Sequence, residues 1–322
     1  MKRIPLLSLL LCSCLPCFAQ WQWRLARKPQ PSAAPATWQF AQGSYAGNGS
    51  DNRAITVGFQ PKVVIIFNGS GNGKEVMRFA SMAGDLALYP AAGGGGAGLI
   101  KSLTTDGFTV GTDLSVNYTG GSITYYWMAL AGTNVATGTY TGNGTSQGLT
   151  GAGFAPTSAA VISAVAVNQL GVVKSASLGG TNSVGLDGGT GLIASGAISS
   201  LDADGLTVGS SAKVNTNGST YYWWAWKNTS GKSNSGSYTG TGVAHDITGS
   251  GFQPTGVYVK IQGAASPCST TASEPASAAT DLSSMGSDTA SITALVADGF
   301  TVGTDTKTNN GSFSYLWWSF KP

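Results

Sequence analysis

TYYWWAW, Thr220 to Trp226, places three tryptophans and two tyrosines within seven residues. Around it the chain is built mostly from Gly, Ser, Thr, Ala and Asn: 47 of 322 residues are Gly and only 10% are charged. So aromatic a stretch is either a surface that binds something or the inside of a wall. The period of its side chains bears on which. No segment here or elsewhere carries a sustained helical period with caps. Short β-branched and aromatic runs between Gly, Asn and Asp turns read as strands, whose side chains alternate between two faces.

The stretch is the middle member of a set of three. YYWMAL at Tyr125 and YLWWSF at Tyr315 match YYWWAW at Tyr221. Three further anchors recur in the same order: GSYAGNG, GTYTGNG and GSYTGTG at Gly43, Gly138 and Gly236; GFQP, GFAP and GFQP at Gly58, Gly153 and Gly251; DGFTVG, DGLTVG and DGFTVG at Asp106, Asp204 and Asp298. Successive copies lie 94 to 98 positions apart. Ordered anchors at one period define a tandem repeat, and a unit of this length is a small domain, not a solenoid turn. The units divide near 38–134, 135–232 and 233–322, after a Pro/Ala-rich linker at 20–37.

In the first unit, KVVIIF (Lys62–Phe67), GLIKSL, FTVG, LSVNY and SITYYWMAL follow one another at strand spacing. Asp106-Gly107 and Asn217-Gly218 read as hairpin turns. Seven or eight short strands per unit predict an all-β chain of three tandem antiparallel β-sandwich or jelly-roll-like domains.

The start, MKRIPLLSLLLCSCLPCFAQ, has two positive charges, an apolar run and a small residue before Gln20. That is the pattern of a cleaved signal peptide over 1–19, too short to span a bilayer. Cys14 could instead carry a lipid. No later run approaches a membrane span, so the mature protein is expected without a transmembrane segment, secreted or at the cell surface. Three of the four cysteines lie in this leader, leaving Cys268 alone and without a disulfide partner after cleavage. From Trp38 onward 12 basic residues face 14 acidic ones without a basic cluster, which argues against nucleic-acid binding.

The four anchors together resemble an uncharacterised repeat of tailed-phage virion proteins and exported bacterial proteins. The resemblance spans nearly everything after Trp38 and implies an extracellular or particle-surface β domain. It attaches no catalytic role to any residue. The leader favours the exported bacterial setting.

One face of the aromatic strand keeps the order Tyr-Trp-small: Tyr125 and Trp127, Tyr221 and Trp223, Tyr315 and Trp317. The other face varies freely among large apolar types, the freedom expected of a close-packed core with compensated volume. The varied face is therefore expected as the sandwich interior. The constant face is either a second buried surface, against a neighbouring unit or a covering loop, or an aromatic platform for sugar rings. Those six residues are the candidate ligand site. The Asp-Gly pairs read as turns and not as calcium loops. Asp85, Asp187 and Asp288, once per unit, are the secondary metal candidates, although loop aspartates usually bond local backbone.

No catalytic signature appears. The single histidine, His245, lacks a G-x-S-x-G elbow to serve. The only glutamates are Glu75 and Glu274, so a glycosidase pair would rely on aspartates. GGGG at Gly93–Gly96 has no phosphate-loop lysine. The expectation is an exported non-enzymatic protein without a cofactor, acting in surface attachment or carbohydrate binding, with glycans or a cell-surface polymer as partner. The alternative is a structural subunit of an extracellular fibre, coat or phage-tail-like assembly, self-associating through repeat faces; a secreted hydrolase is more remote.

Overall fold

The computed structural model describes residues 36–70, 73–91, 93–164, 169–186, 189–263, 268–271, 274, 279–281 and 287–322. The expected signal peptide, and all of the expected linker but its last two residues, lie outside them. The described residues form one compact unit. It is all-β, 48% strand and 4% helix, in antiparallel sheets.

The first repeat folds as β1 (Gln39–Ala46), β2 (Arg53–Thr56), β3 (Val63–Asn68), β4 (Val76–Phe79), β5 (Ala87–Leu88), β6 (Gly95–Gly96), β7 (Ile100–Thr104), β8 (Gly107–Val110) and β9 (Thr124–Ala131). A six-stranded sheet has the order β1-β9-β3-β4-β5-β6, and a three-stranded sheet the order β2-β8-β7. The same two sheets, in the same order, form in the second and third repeats. The aromatic strand thus sits inside its sheet: Trp127 pairs with Gly43 on one side and Ile66 on the other. With both edges paired and both faces covered, every large side chain on it needs a buried place.

The two faces exchange the places expected of them. The constant face, with Val64, Ile66, Phe108 and Val110, fills the space between the two sheets of its own repeat, and the second and third repeats do likewise. The varied face enters a core shared by all three repeats, where Met128 and Leu130, Trp224 and Trp226, and Trp318 and Phe320 meet. The reason is arithmetic. A core built three times wants the same residues three times; a core built once needs only a correct total volume. The compensation is visible in the register, where Trp226 pairs with Ser158 and Phe320 with Gly256, whereas Leu130 pairs with Val63. A Cβ on Gly256 would lie 2.8 Å from Phe40 of the first repeat.

Each repeat touches both others. Phe79 of the first packs on Trp224 of the second at 6.2 Å. Trp318 of the third meets Trp226 edge-on and donates from Nε1 to Ser158 Oγ at 2.9 Å. Trp38 and Phe40 of the first stack on Phe320, 5.9 and 5.6 Å away, and Trp38 Nε1 donates to Lys321 O. The repeats close into a ring around one core.

Two local expectations are corrected. LSVNY is no strand: it is a turn in the first repeat, and its counterparts are the one-turn helices Ala212–Asn215 and Thr306–Asn309. In the DG hairpin the turning pair is Thr105-Asp106, because Gly107 already pairs with Thr104. Gly107 is required by close approach, since a Cβ there would lie 2.0 Å from Ile55 O.

Candidate functional site

The six candidate residues are interior. Tyr125, Tyr221 and Tyr315 are 0% exposed, and Trp127, Trp223 and Trp317 are 6%, 4% and 4% exposed. None offers a ring face to solvent: of the two alternatives for this face, a buried surface and an exposed aromatic platform, the side chains take the buried one. The cause is local. Each tryptophan lies over the glycine opposite it on the first, edge strand of the sheet: a Cβ on Gly43, Gly138 or Gly236 would come within 2.6, 2.4 and 2.6 Å of the indole. Phe108 and Phe300 of the small sheet then close on Trp127 and Trp317 edge-to-face.

Each tyrosine stacks on the tyrosine of the YxG motif across the strand pair. Tyr45–Tyr125, Tyr140–Tyr221 and Tyr238–Tyr315 have ring centroids 5.3, 5.2 and 4.9 Å apart. Their hydroxyls tie down the segment between the small sheet and the closing strand. Tyr125 donates to Leu114 O and accepts from Tyr118 N. Tyr221 accepts from Thr216 N and Tyr315 from Asn310 N. Tyr45, Tyr140 and Tyr238 donate to Val116 O, Val214 O and Thr308 O. Burial raises the Tyr45, Tyr125 and Tyr140 hydroxyls above their ordinary pKa, which keeps them neutral donors.

A third recurring residue completes the unit. Asn117, Asn215 and Asn309 are fully buried and follow the Val of the DGxTVG motif by seven positions each time. Their side-chain oxygens accept from Asn48 N, Asn143 N and Thr241 N at 3.0, 2.8 and 2.8 Å, and so hold the GNG or GTG loop. That spacing is legible in the sequence, although LSVNY reads locally as a strand.

The acidic candidates serve backbone and lysine. Asp85 accepts from Gly98 N at 3.2 Å through both oxygens and lies 3.9 Å from Lys101. Asp288 accepts from Ala290 N, Ser291 N and Ser291 Oγ, and pairs with Lys307 at 3.2 Å. Its pKa is lowered: burial opposes, but these bonds and the lysine outweigh it. Asp187 lies outside the described residues. Asp204 and Asp298 accept from the amides of Gly151 and Gly153, and of Gly249 and Gly251. His245 Nδ1 lies within hydrogen-bond distance of Thr241 Oγ1 and Val243 O. Among the described residues no three His, Cys, Asp or Glu side chains converge as metal ligands, and no helix is long and apolar enough to cross a membrane. The sequence matches no protein-family model and no curated protein.

Proposed function

We propose that this protein is an exported, non-enzymatic structural subunit that self-associates at an extracellular or particle surface. The observation that supports it is the burial of all three Tyr-Trp pairs. The recurrent motifs serve the packing of each repeat and the closure of three repeats on one core. A molecule whose repeated residues build walls suits load-bearing and assembly better than recognition through those residues. Sedimentation velocity on residues 20–322 over a wide concentration range tests it, with electron microscopy of the same samples. Concentration-dependent oligomers or fibres are expected, and a strictly monomeric species throughout rejects the reading.

Surface attachment is the second reading, and one feature favours it. The buried asparagines hold the same loop in each repeat, near Asn48, Asn143 and Thr241. Three weak contacts on one rigid body would add as avidity. Loss of cell-surface or glycan-array binding when residues 143–147 are replaced by a Gly/Ser stretch is the expected result under that reading.

A further inference from the structure

A cleft of about 430 Å³ opens in the first repeat beside the seam with the second, lined by Gln60, Lys62, Arg78, Met82 and Ser102 among others. Its volume suits a small organic ligand. Its chemistry is one-sided: it holds two cations, and no carboxylate belongs to its lining.

Among the described residues neither cation has an anionic contact. Lys62 Nζ donates to Gly132 O and Val135 O at 2.9 and 2.7 Å. Arg78, 5% exposed, donates only to carbonyls: Leu86 O, Ile100 O at 3.2 Å, Gly84 O at 2.6 Å and Met82 O at 3.4 Å. Among the described residues its Nε–H has no acceptor, which leaves one donor of the guanidinium for an incoming anion while the bonds to Leu86 O and Gly84 O hold the group in place. Asp85 acts on it at longer range but spends its oxygens on Gly98 N. Burial draws both cations below their ordinary pKa, with nothing opposing it at Lys62 and the pull of Asp85 only partly offsetting it at Arg78. A low-dielectric wall around such charges strengthens the attraction for an incoming anion.

The molecule carries its own control. By strand register, Lys62 corresponds to Thr157 and Thr255, whose amides bond the equivalent carbonyls of the closing strands. Arg78 corresponds to Lys174 and Thr270. The third repeat therefore builds the same two sheets with threonine at both positions. The architecture does not require this pair of cations, and they coincide only beside this cleft. We propose that the Lys62–Arg78 cleft binds a small oxyanion, a carboxylate or sulfate, either free or carried on an acidic sugar.

The test uses the full mature chain and two-dimensional NMR at constant ionic strength, titrating sodium acetate, sodium sulfate and sodium glucuronate separately. Saturable shifts at Arg78 Nε–H and the Ser102 amide are expected for at least one anion. Tighter binding of glucuronate than acetate assigns an acidic sugar; equal affinity assigns the bare oxyanion. Lys62→Thr, which installs the residue of the other two repeats, should weaken binding about tenfold, the worth of one charge-assisted hydrogen bond. Adding Arg78→Lys should reduce it further. Absence of saturable shifts with all three anions, or affinity unchanged by Lys62→Thr in a folded protein, overturns the proposal. Lys62→Thr alone suffices should the Arg78 variant fail to fold. Failure here leaves the assembly reading standing, because sedimentation decides that separately.

Discussion

Gly138 and Trp223 show how a motif becomes a contact. The glycine is fixed by the indole lying on it, because a Cβ would sit 2.4 Å from the ring, closer than packed atoms tolerate. Gly138→Ala should therefore cost about 1–3 kcal/mol by overpacking. Gly148→Ala, on another strand of the same repeat with its nearest neighbour 3.9 Å away, should cost much less; paired urea titrations check both. Glu75 gives a second prediction at this scale. Its side chain is 1% exposed, with neither oxygen hydrogen-bonded among the described residues, and burial raises its pKa from the ordinary 4.5 to about 8. Between those values the unfolded chain has released this proton while the folded chain retains it. The stabilising effect is complete below about 4.5 and is lost as pH rises through about 8. Glu75→Gln should flatten stability across that window, read from urea midpoints at several pH values. Nothing in the pattern around Glu75 announces its burial, since it follows a polar glycine-rich run.

At the scale of elements, most of the repeat is legible and the errors have causes. β3, β7, β8 and β9 fall where alternating or continuous apolar runs place them, within one or two residues. LSVNY misleads because Val116 and Asn117 are both buried in a turn whose geometry comes from tyrosine hydroxyls on two other strands, the following β9 and the first strand β1. Tyr221 illustrates the dependence: its hydroxyl bonds Ala212 O, Gln169 Oε1 and Thr216 N at 2.9, 2.8 and 2.9 Å. Tyr221→Phe should cost about 1–3 kcal/mol by leaving buried partners unsatisfied. The loss should concentrate locally, with faster hydrogen exchange at Thr216 and little change in the small sheet. The same element explains the candidate site. Alternation along TYYWWAW separates two faces correctly, but it carries no information on which sheet or repeat covers either face.

For the whole molecule, the consequence of the shared core is cooperativity across repeats. A chain ending at Lys232 would uncover Trp226, which now meets Trp318 and Phe320 at 6.2 and 6.4 Å, and would free Trp38 and Phe40 from Phe320. It should lose the sharp unfolding transition of the intact chain and bind a hydrophobic dye, as loosely packed states do. Independent domains would instead leave a two-repeat fragment with a sharp transition. The sequence by itself determined the β class, the repeat and its period, and the division of the aromatic strand into a constant and a varied face, because these follow from local alternation and recurrence. Only the tertiary structure decided that the constant face is each repeat's own interior and the varied face the common centre. That assignment depends on contacts between residues some hundred to three hundred positions apart, such as Trp38 with Phe320, and no local pattern encodes them.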